Sequence, residues 1–279
     1  MLQLIVVVDA PPPHRSVALQ RDGVLPTAGD RDHIGEADHL YRRVAVGVRG
    51  VPELAFVVLA PVPILARALS VPNLSDESSY DYFGTSVSMS SDGTRIVVGA
   101  TGDDDATGTS TVDNGAAYVF VRSGASWTEE RKLVASDKAS SDGFGISVSM
   151  SADGTRVVVG AHLHDDAVGT STMDNGATYV FVRSGSSWSE EQKLLAADKA
   201  DGDSFGWSVA MSADGTRLVV GADAEDDATG TNTVNNGAAY VFSRSGSVWS
   251  SEQKLLASDK ASSDRFGYSV SMTSDCARC

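Results

Sequence analysis

The chain has 279 residues, of which 42% are hydrophobic and 21% charged, and its formal net charge is −15. This composition is typical of a soluble globular protein that is long enough for one or two domains with a buried core. Because an acidic surface repels phosphate groups and anionic lipid heads, we expect neither nucleic acid nor an anionic membrane surface as a partner.

The N-terminal segment, residues 1–74, differs from everything that follows it. It contains no Lys and no Trp, and it is rich in Pro, Arg, Val and Ala. Its apolar runs are interrupted by proline and are shorter than the roughly 20 residues of a transmembrane helix, so we expect no membrane-spanning segment here. We predict an irregular segment rather than a folded domain.

Two short features of this segment bear on secretion. Arg42, Arg43 and Arg49 precede an apolar stretch at residues 54–65, an order that is typical of a signal peptide, although it lies deep within the chain. Asn73-Leu74-Ser75 is a sequon for N-glycosylation, which applies to a secreted chain. Both features are typical of an extracellular glycoprotein.

From residue 75 onward, one stretch recurs at a constant interval. It reads FGTSVSMSSDGTRIVVGA from Phe83, and close copies begin at Phe144 and Phe205, with a fourth starting at Phe266. The interval is 61 residues, which predicts repeats at about 83–143, 144–204 and 205–265 and a partial repeat at 266–279. A constant period of this size indicates units that each bury an apolar face against the next unit.

Within the second repeat, the pattern predicts three strands and one ambiguous segment. Apolar and polar residues alternate over 144–150, and the apolar run 157–161 is typical of a strand covered on both faces. Asp153-Gly154 between them favours a tight hairpin. A long polar loop, 162–175, leads to a third strand at 176–182. The Glu-rich segment 188–195 fits either a helix or a charged edge strand.

The F-G opening, the V-G-A end of the second strand and the following G-A-x-Y-V-F resemble FG-GAP repeats, the unit of integrin-alpha-like β-propellers. The resemblance covers residues 75–279. It implies an all-β fold, a partial β-propeller of four-stranded antiparallel blades with three full repeats and a truncated fourth. It also favours a strand for the Glu-rich segment. The integrin-type calcium loop is missing, because SSDGT or SADGT joins the first two strands, so the repeats resemble the metal-free variety.

The loops that follow V-G-A are the candidate metal sites. Paired carboxylates recur there in each repeat and have the oxygen ligands that calcium prefers; the alternative is that Asp, Asn and Gly simply form the turns of an exposed loop. His162 and His164 occur only in the second repeat, and in an extended segment both rings would face one metal such as zinc. The alternative is that they are ordinary polar loop residues. The carboxylates are Asp104, Asp105, Asp165, Asp166, Asp226 and Asp227.

Two further residue types carry a prediction. Three tryptophans recur with the period, and we interpret them as packing groups. Trp207 stands at a position whose size varies between repeats, which indicates partial exposure. Cys276 and Cys279 form a C-x-x-C pair, but one pair is half a zinc site, and we interpret it as part of a degenerate last copy. The recurring tryptophans are Trp127, Trp188 and Trp249.

The sequence contains no G-x-S-x-G elbow, P-loop or dinucleotide fingerprint, so we expect no enzyme and no cofactor beyond the calcium alternative. The resemblance implies a non-catalytic extracellular or cell-surface module for adhesion, which binds a protein or glycan ligand through propeller loops. The alternative is a metal-dependent module or enzyme that uses the acidic loops with calcium or zinc. Because three blades leave apolar terminal faces, we also expect self-association.

Overall fold

The computed structural model describes residues 80–104, 113–165, 174–226 and 235–273. The predictions for residues 1–74, for the sequon and for the two cysteines lie outside these ranges. In the described part of the chain, no helix has the length and apolar character needed to cross a membrane.

The described residues form three four-stranded antiparallel sheets, one for each full repeat, and the strand order in each sheet is the order in the chain. This confirms the all-β fold and its arrangement as a partial propeller. The strands are β1 (Phe83–Met89), β2 (Arg95–Ala100), β3 (Ala116–Ser123), β4 (Ser126–Leu133), β5 (Phe144–Met150), β6 (Arg156–Ala161), β7 (Ala177–Ser184), β8 (Ser187–Leu194), β9 (Phe205–Met211), β10 (Arg217–Ala222), β11 (Ala238–Ser245) and β12 (Val248–Leu255).

The Glu-rich segments form the outer edge strand of each sheet, as the resemblance implies. In the second repeat, β8 pairs with β7 along its whole length, from Ser187 opposite Ser184 to Leu194 opposite Thr178. Trp188 and Leu194 point inward and are buried, while most of the intervening polar residues are partly exposed. Strand pairing therefore overrides the helix propensity of this segment, because a helix would leave the edge of β7 without partners.

The turn between the first two strands shows why no calcium loop forms there. In the second repeat, Asp153 Oδ1 accepts hydrogen bonds from Ser151 Oγ at 2.6 Å and from the Thr155 backbone N at 2.9 Å. Gly154 has φ of 65°, the left-handed backbone that a tight turn requires. The single carboxylate of this turn is thus satisfied by its own hairpin, and the same bonds recur at Asp92 and Asp214.

Neighbouring sheets meet through glycine. Gly160 lies in β6, and a Cβ atom built on it would be 1.9 Å from the carbonyl oxygen of Gly206 in the next sheet. The same oxygen accepts a hydrogen bond of 2.8 Å from Ser147 Oγ. The backbone N of Phe205 also donates to Asn175 O at 3.0 Å. These contacts fix the distance between the second and third sheets, and equivalent contacts join the first sheet to the second.

A shared glutamate joins the outer strands of adjacent sheets. Glu191 in β8 accepts hydrogen bonds from Arg244 of the next sheet at 2.6 Å and from the Trp249 indole at 3.0 Å. Trp188 and Trp249 are 6% and 3% exposed, which confirms that they are packing groups.

The apolar cores lie between sheets rather than within one sheet. Phe144 is fully buried, and it belongs to one core cluster with Val97 and Val119 of the preceding sheet. Phe205 belongs in the same way to a cluster with Val158 and Val180 of the second sheet. Burying one such ring stabilises the fold by about 2–3 kcal/mol, so the recurring phenylalanine anchors each sheet to the one before it.

Candidate functional site

The candidate site lies where the first strand of each repeat begins and the second strand ends. Phe144 pairs with Ala161 at this point, so the residues just beyond the pair come together on one face of the arc. Side chains differ between repeats there, although the strands are nearly identical. Position 146 is Ile, and its equivalents are Thr85, Trp207 and Tyr268. Variation on a constant scaffold is what a binding surface requires.

A cleft of about 630 Å³ opens on this face between the first and second repeats. Its walls combine exposed tyrosines with aliphatic and imidazole side chains, and they include two carboxylates but no Lys or Arg among the described residues. The lining residues are Tyr80, Tyr82, Thr101, Gly102, Asp104, Asp113, Ser141, Gly143, Ile146, His162 and Leu163. A volume of this size suits a small ligand or one anchoring side chain.

The two tyrosines at the cleft are the least expected residues of the structure. Tyr80 and Tyr82 are 78% and 61% exposed, and their φ angles are 77° and 52°. Left-handed backbone is unfavourable for a bulky side chain. In the second repeat, Ser141 and Gly143 occupy these positions with the same backbone. The architecture therefore imposes the conformation, and the first repeat carries large aromatic groups where small residues fit best.

His162 forms one wall of the cleft, and its ring is the first of a row of aromatic rings that contact one another. Burial lowers its pKa to about 4, so the ring is neutral at physiological pH. The His162 ring packs edge-on against Trp207, with centroids 5.0 Å apart, and Trp207 lies 5.5 Å from Tyr268. Arg265 covers both of these rings, and its guanidinium pairs with Asp223. Trp207 is half-buried, as its variable position predicts.

His164 has a different environment, because residues 162 and 163 form a turn rather than the extended segment that we expected. It is 3% exposed. Lys193 Nζ lies 2.7 Å from its Nε2, and Asp142 Oδ2 lies 3.2 Å from its Nδ1. Since an ammonium group can only donate, Nε2 accepts and the neutral ring donates from Nδ1 to Asp142. The two histidines thus contact different partners.

The group around His164 continues to a loop aspartate. Asp137 accepts hydrogen bonds from the Tyr179 hydroxyl at 2.8 Å and from Lys193 at 2.7 Å. Partial burial would raise the pKa of Asp137, but these hydrogen bonds outweigh it and hold the pKa below its usual value. The other repeats build the same group with Asp103 or Glu225 in place of His164. An ionisable residue at this position therefore belongs to the fold of each blade.

The predicted metal ligands are only partly within the described residues. Asp104, Asp165 and Asp226 each accept a hydrogen bond of 2.6–2.7 Å from the backbone N of the residue nine positions later, which closes the base of the loop. The other member of each pair lies outside the described ranges. Among the described residues, no three His, Cys, Asp or Glu side chains lie close enough together to hold a metal ion. Metal binding by these loops stays a prediction. The undescribed members are Asp105, Asp166 and Asp227.

Two features of this face were not predicted from the sequence. The cleft depends on residues that are far apart in the chain, such as Tyr82 and His162, which are 80 positions apart. The buried aspartates Asp142 and Asp203 are 2% and 1% exposed but look like ordinary loop residues in the sequence. One signal does exist for them: Asp recurs at this position in every copy, from Asp81 to Asp264, with the 61-residue period.

Stacked four-stranded antiparallel sheets that carry variable loops on one face define the arc of a β-propeller. The sequence matches the FG-GAP repeat family over residues 74–120, 127–181, 188–242 and 249–277, which is more than half of the chain. The chain therefore belongs to the FG-GAP repeat family. A search of curated proteins found no match. Among solved structures, the crystal structure of Saccharomyces cerevisiae Sqt1 is similar with a TM-score of 0.42 and 9% identity, over 69% of this chain and 40% of that one.

Proposed function

We propose that residues 75–279 form a non-catalytic binding module of the extracellular or cell-surface kind, used in adhesion. Its ligand, a protein or a glycan, binds on the face that carries the cleft. The observation that carries this proposal is the pair Tyr80 and Tyr82, exposed beside a 630 Å³ cleft on backbone that favours smaller residues. Tyrosine is enriched in binding surfaces because it offers a large rigid apolar ring and a hydroxyl at low entropic cost.

The charges of the cleft indicate which ligands it favours. Asp104 and Asp113 are its ionisable acids among the lining residues, and His162 is neutral because its pKa is about 4. The cleft therefore favours neutral or cationic groups and disfavours anions. Neutral sugars and basic side chains of a protein meet this requirement, whereas phosphates do not.

The ionisable groups nearby support binding rather than catalysis. Asp137, Lys193 and His164 bond to one another across the junction of the first and second repeats. A general acid or base has to be within hydrogen-bond reach of a substrate. These groups already bond to other residues of the fold, and equivalent groups recur in every repeat. They are therefore poor candidates for the general acid or base of an active site.

The experiment is a selection of ligands with the full chain, from an array of neutral oligosaccharides and from a displayed peptide library. The test variant replaces the tyrosines with the residues of the second repeat, Tyr80→Ser and Tyr82→Gly. The matched control is Val248→Ser, which replaces a residue that is 60% exposed on β12 with the serine of the other repeats. We expect the tyrosine variant to lose the selected ligands and the control to keep them. Equal binding by both variants, or no ligand from either collection, would refute the proposal.

A further inference from the structure

The first and third of the described sheets carry complementary halves of the interface that joins neighbouring repeats. Inside the arc, Glu191 and Gln192 on β8 form the accepting half. Glu191 binds the Arg244 guanidinium and the Trp249 indole, at 2.6 and 3.0 Å. Gln192 exchanges two hydrogen bonds with the Trp249 backbone, at 2.8 and 2.9 Å. The donating half of the interface is therefore one arginine and one tryptophan.

The third repeat presents the accepting half on its outer edge. Glu252 and Gln253 on β12 are the equivalents of Glu191 and Gln192. The Glu252 side chain is 41% exposed, against 6% for Glu191, and its ion pair reaches Arg217 of its own repeat at 3.5 Å. Gln253 is exposed as well. This edge thus has the same residues as an internal interface, but their side chains are exposed rather than buried.

The first repeat presents the donating half. Arg122 and Trp127 are the equivalents of Arg244 and Trp249, and Arg122 Nε donates to Gly124 O of its own hairpin at 3.1 Å. Trp127 is half-buried, whereas Trp249 is 3% exposed. Met89 on β1 is 41% exposed, while its equivalent in the second repeat, Met150, is 6% exposed because it packs against a preceding sheet. Among the described residues, none covers on the first repeat the face that repeats two and three use for packing.

The partial fourth repeat occupies part of the accepting face. Phe266 N donates to Asn236 O at 2.9 Å, and Ser208 Oγ donates to Gly267 O at 2.7 Å, as in the internal interfaces. Phe266 is nevertheless 37% exposed, whereas Phe205, at the equivalent position of the third repeat, is fully buried. The sequence FGYSVSM from Phe266 is also nearly that of β1. A complete blade would occupy this position and add contacts to Glu252 that the described part of the partial repeat, up to residue 273, does not make.

We propose that a second copy of this chain docks its first repeat on the third repeat of the first copy and displaces the partial repeat. Arg122 and the Trp127 indole of one copy then bind Glu252 of the other. Gln253 pairs with the Trp127 backbone. Charge complementarity and the identity of these residues with the internal interface select this occupant. Because the contact joins two different faces, it closes into a ring or continues as a chain of copies. This assembly is independent of the ligand proposed above.

The test uses reversed charges on the full chain, followed by sedimentation velocity over a range of concentrations. Glu252→Arg alone sets two guanidinium groups against each other at the junction, and Arg122→Glu alone sets two glutamates together. We therefore expect each variant to associate at least about tenfold more weakly than the wild type. An equimolar mixture restores a matched junction and has to regain the association. The double variant restores the ion pair with its charges reversed but has no acceptor for the Trp127 indole, so it has to associate more tightly than either single variant and more weakly than the wild type. Since both residues lie at the surface, circular dichroism will show the native fold in every variant.

A second measurement addresses the displaced segment. Phe266→Ala weakens the seat of the partial repeat, so we expect tighter association than in the wild type. Val248→Ser, on the same edge strand, serves as the control and leaves the association unchanged. A wild-type chain that stays monomeric at all concentrations would overturn the proposal. So would single charge variants that associate as well as the wild type, a mixture that stays monomeric, or a Phe266 variant that associates less.

Discussion

Gly160→Ala tests whether close backbone contact holds the sheets together. The added Cβ would lie 1.9 Å from Gly206 O, whereas ordinary contact begins at 3.4 Å. The second and third sheets would have to separate by roughly 1.5 Å, because both the glycine and the oxygen belong to backbone in paired strands. That shift also breaks the hydrogen bond from Ser147 Oγ to the same oxygen.

The expected cost follows from these contacts. Overpacking of this kind costs about 1–3 kcal/mol and one lost hydrogen bond about 1 kcal/mol, so we expect a loss of about 3 kcal/mol. For a domain of this size, that corresponds to a fall in Tm of about 6–12 °C. Urea unfolding followed by the fluorescence of the buried Trp188 and Trp249 measures it.

Gly185→Ala is the matched control for this substitution. Gly185 has φ of 64° at a hairpin tip, and its added Cβ would meet no atom within 4 Å. The control thus costs only the strain of left-handed backbone, about 1 kcal/mol. If Gly160→Ala destabilised the protein no more than Gly185→Ala, the argument from sheet contact would be refuted.

Three other predictions concern charge. Partial burial would raise the pKa of Glu130, but hydrogen bonds from Arg95 and Arg183 outweigh it and hold that pKa below its usual value. Glu130→Gln should therefore cost about 2 kcal/mol at pH 7. Because a lowered pKa stabilises the fold above the unfolded value, this difference in urea unfolding should shrink as the pH falls below the usual pKa of a glutamate and the Glu130 carboxylate becomes protonated. Burial, aided by Glu225, raises the pKa of Asp203 to about 7. The unfolded chain already ionises this carboxyl near pH 4, so the fold loses stability as the pH rises from about 4 to 7. Glu225→His copies the second repeat and should lower that pKa; an unchanged carboxyl titration by NMR would contradict this. The metal prediction for the acidic loops requires that calcium or zinc give a saturable heat in calorimetry and that Asp226→Asn reduce it; no heat from either metal would refute this prediction.

The strands and their stacking could be predicted from the sequence because they depend on local patterns repeated at a constant interval. The apolar run 157–161 is buried in the middle of its sheet, as its composition requires. The Glu-rich segment 188–195 could not be decided from local pattern. Its strand conformation depends on pairing with β7 and on Trp188, which packs against the neighbouring sheet.

The candidate site was only partly accessible from the sequence. The partial exposure of Trp207 could be predicted, because a change of side chain on constant strands is visible in the repeats themselves. The different environments of His162 and His164 could not be predicted from the sequence. The chain turns between them, and the burial of His164 depends on Tyr179 and Asp142, which come from other segments. The cleft beside Tyr82 depends on how two repeats pack against each other, and this cannot be predicted from the sequence of either repeat alone.

The shared glutamate also makes the repeats interchangeable. Glu130 and Glu191 each accept from the arginine and tryptophan that lie 53 and 58 positions later in the chain. If residues 144–204 were deleted in frame, Glu130 would meet Arg244 and Trp249 in the geometry that Arg183 and Trp188 now have. Gene duplication or loss in whole units of 61 residues therefore changes the number of blades without requiring any new junction to evolve.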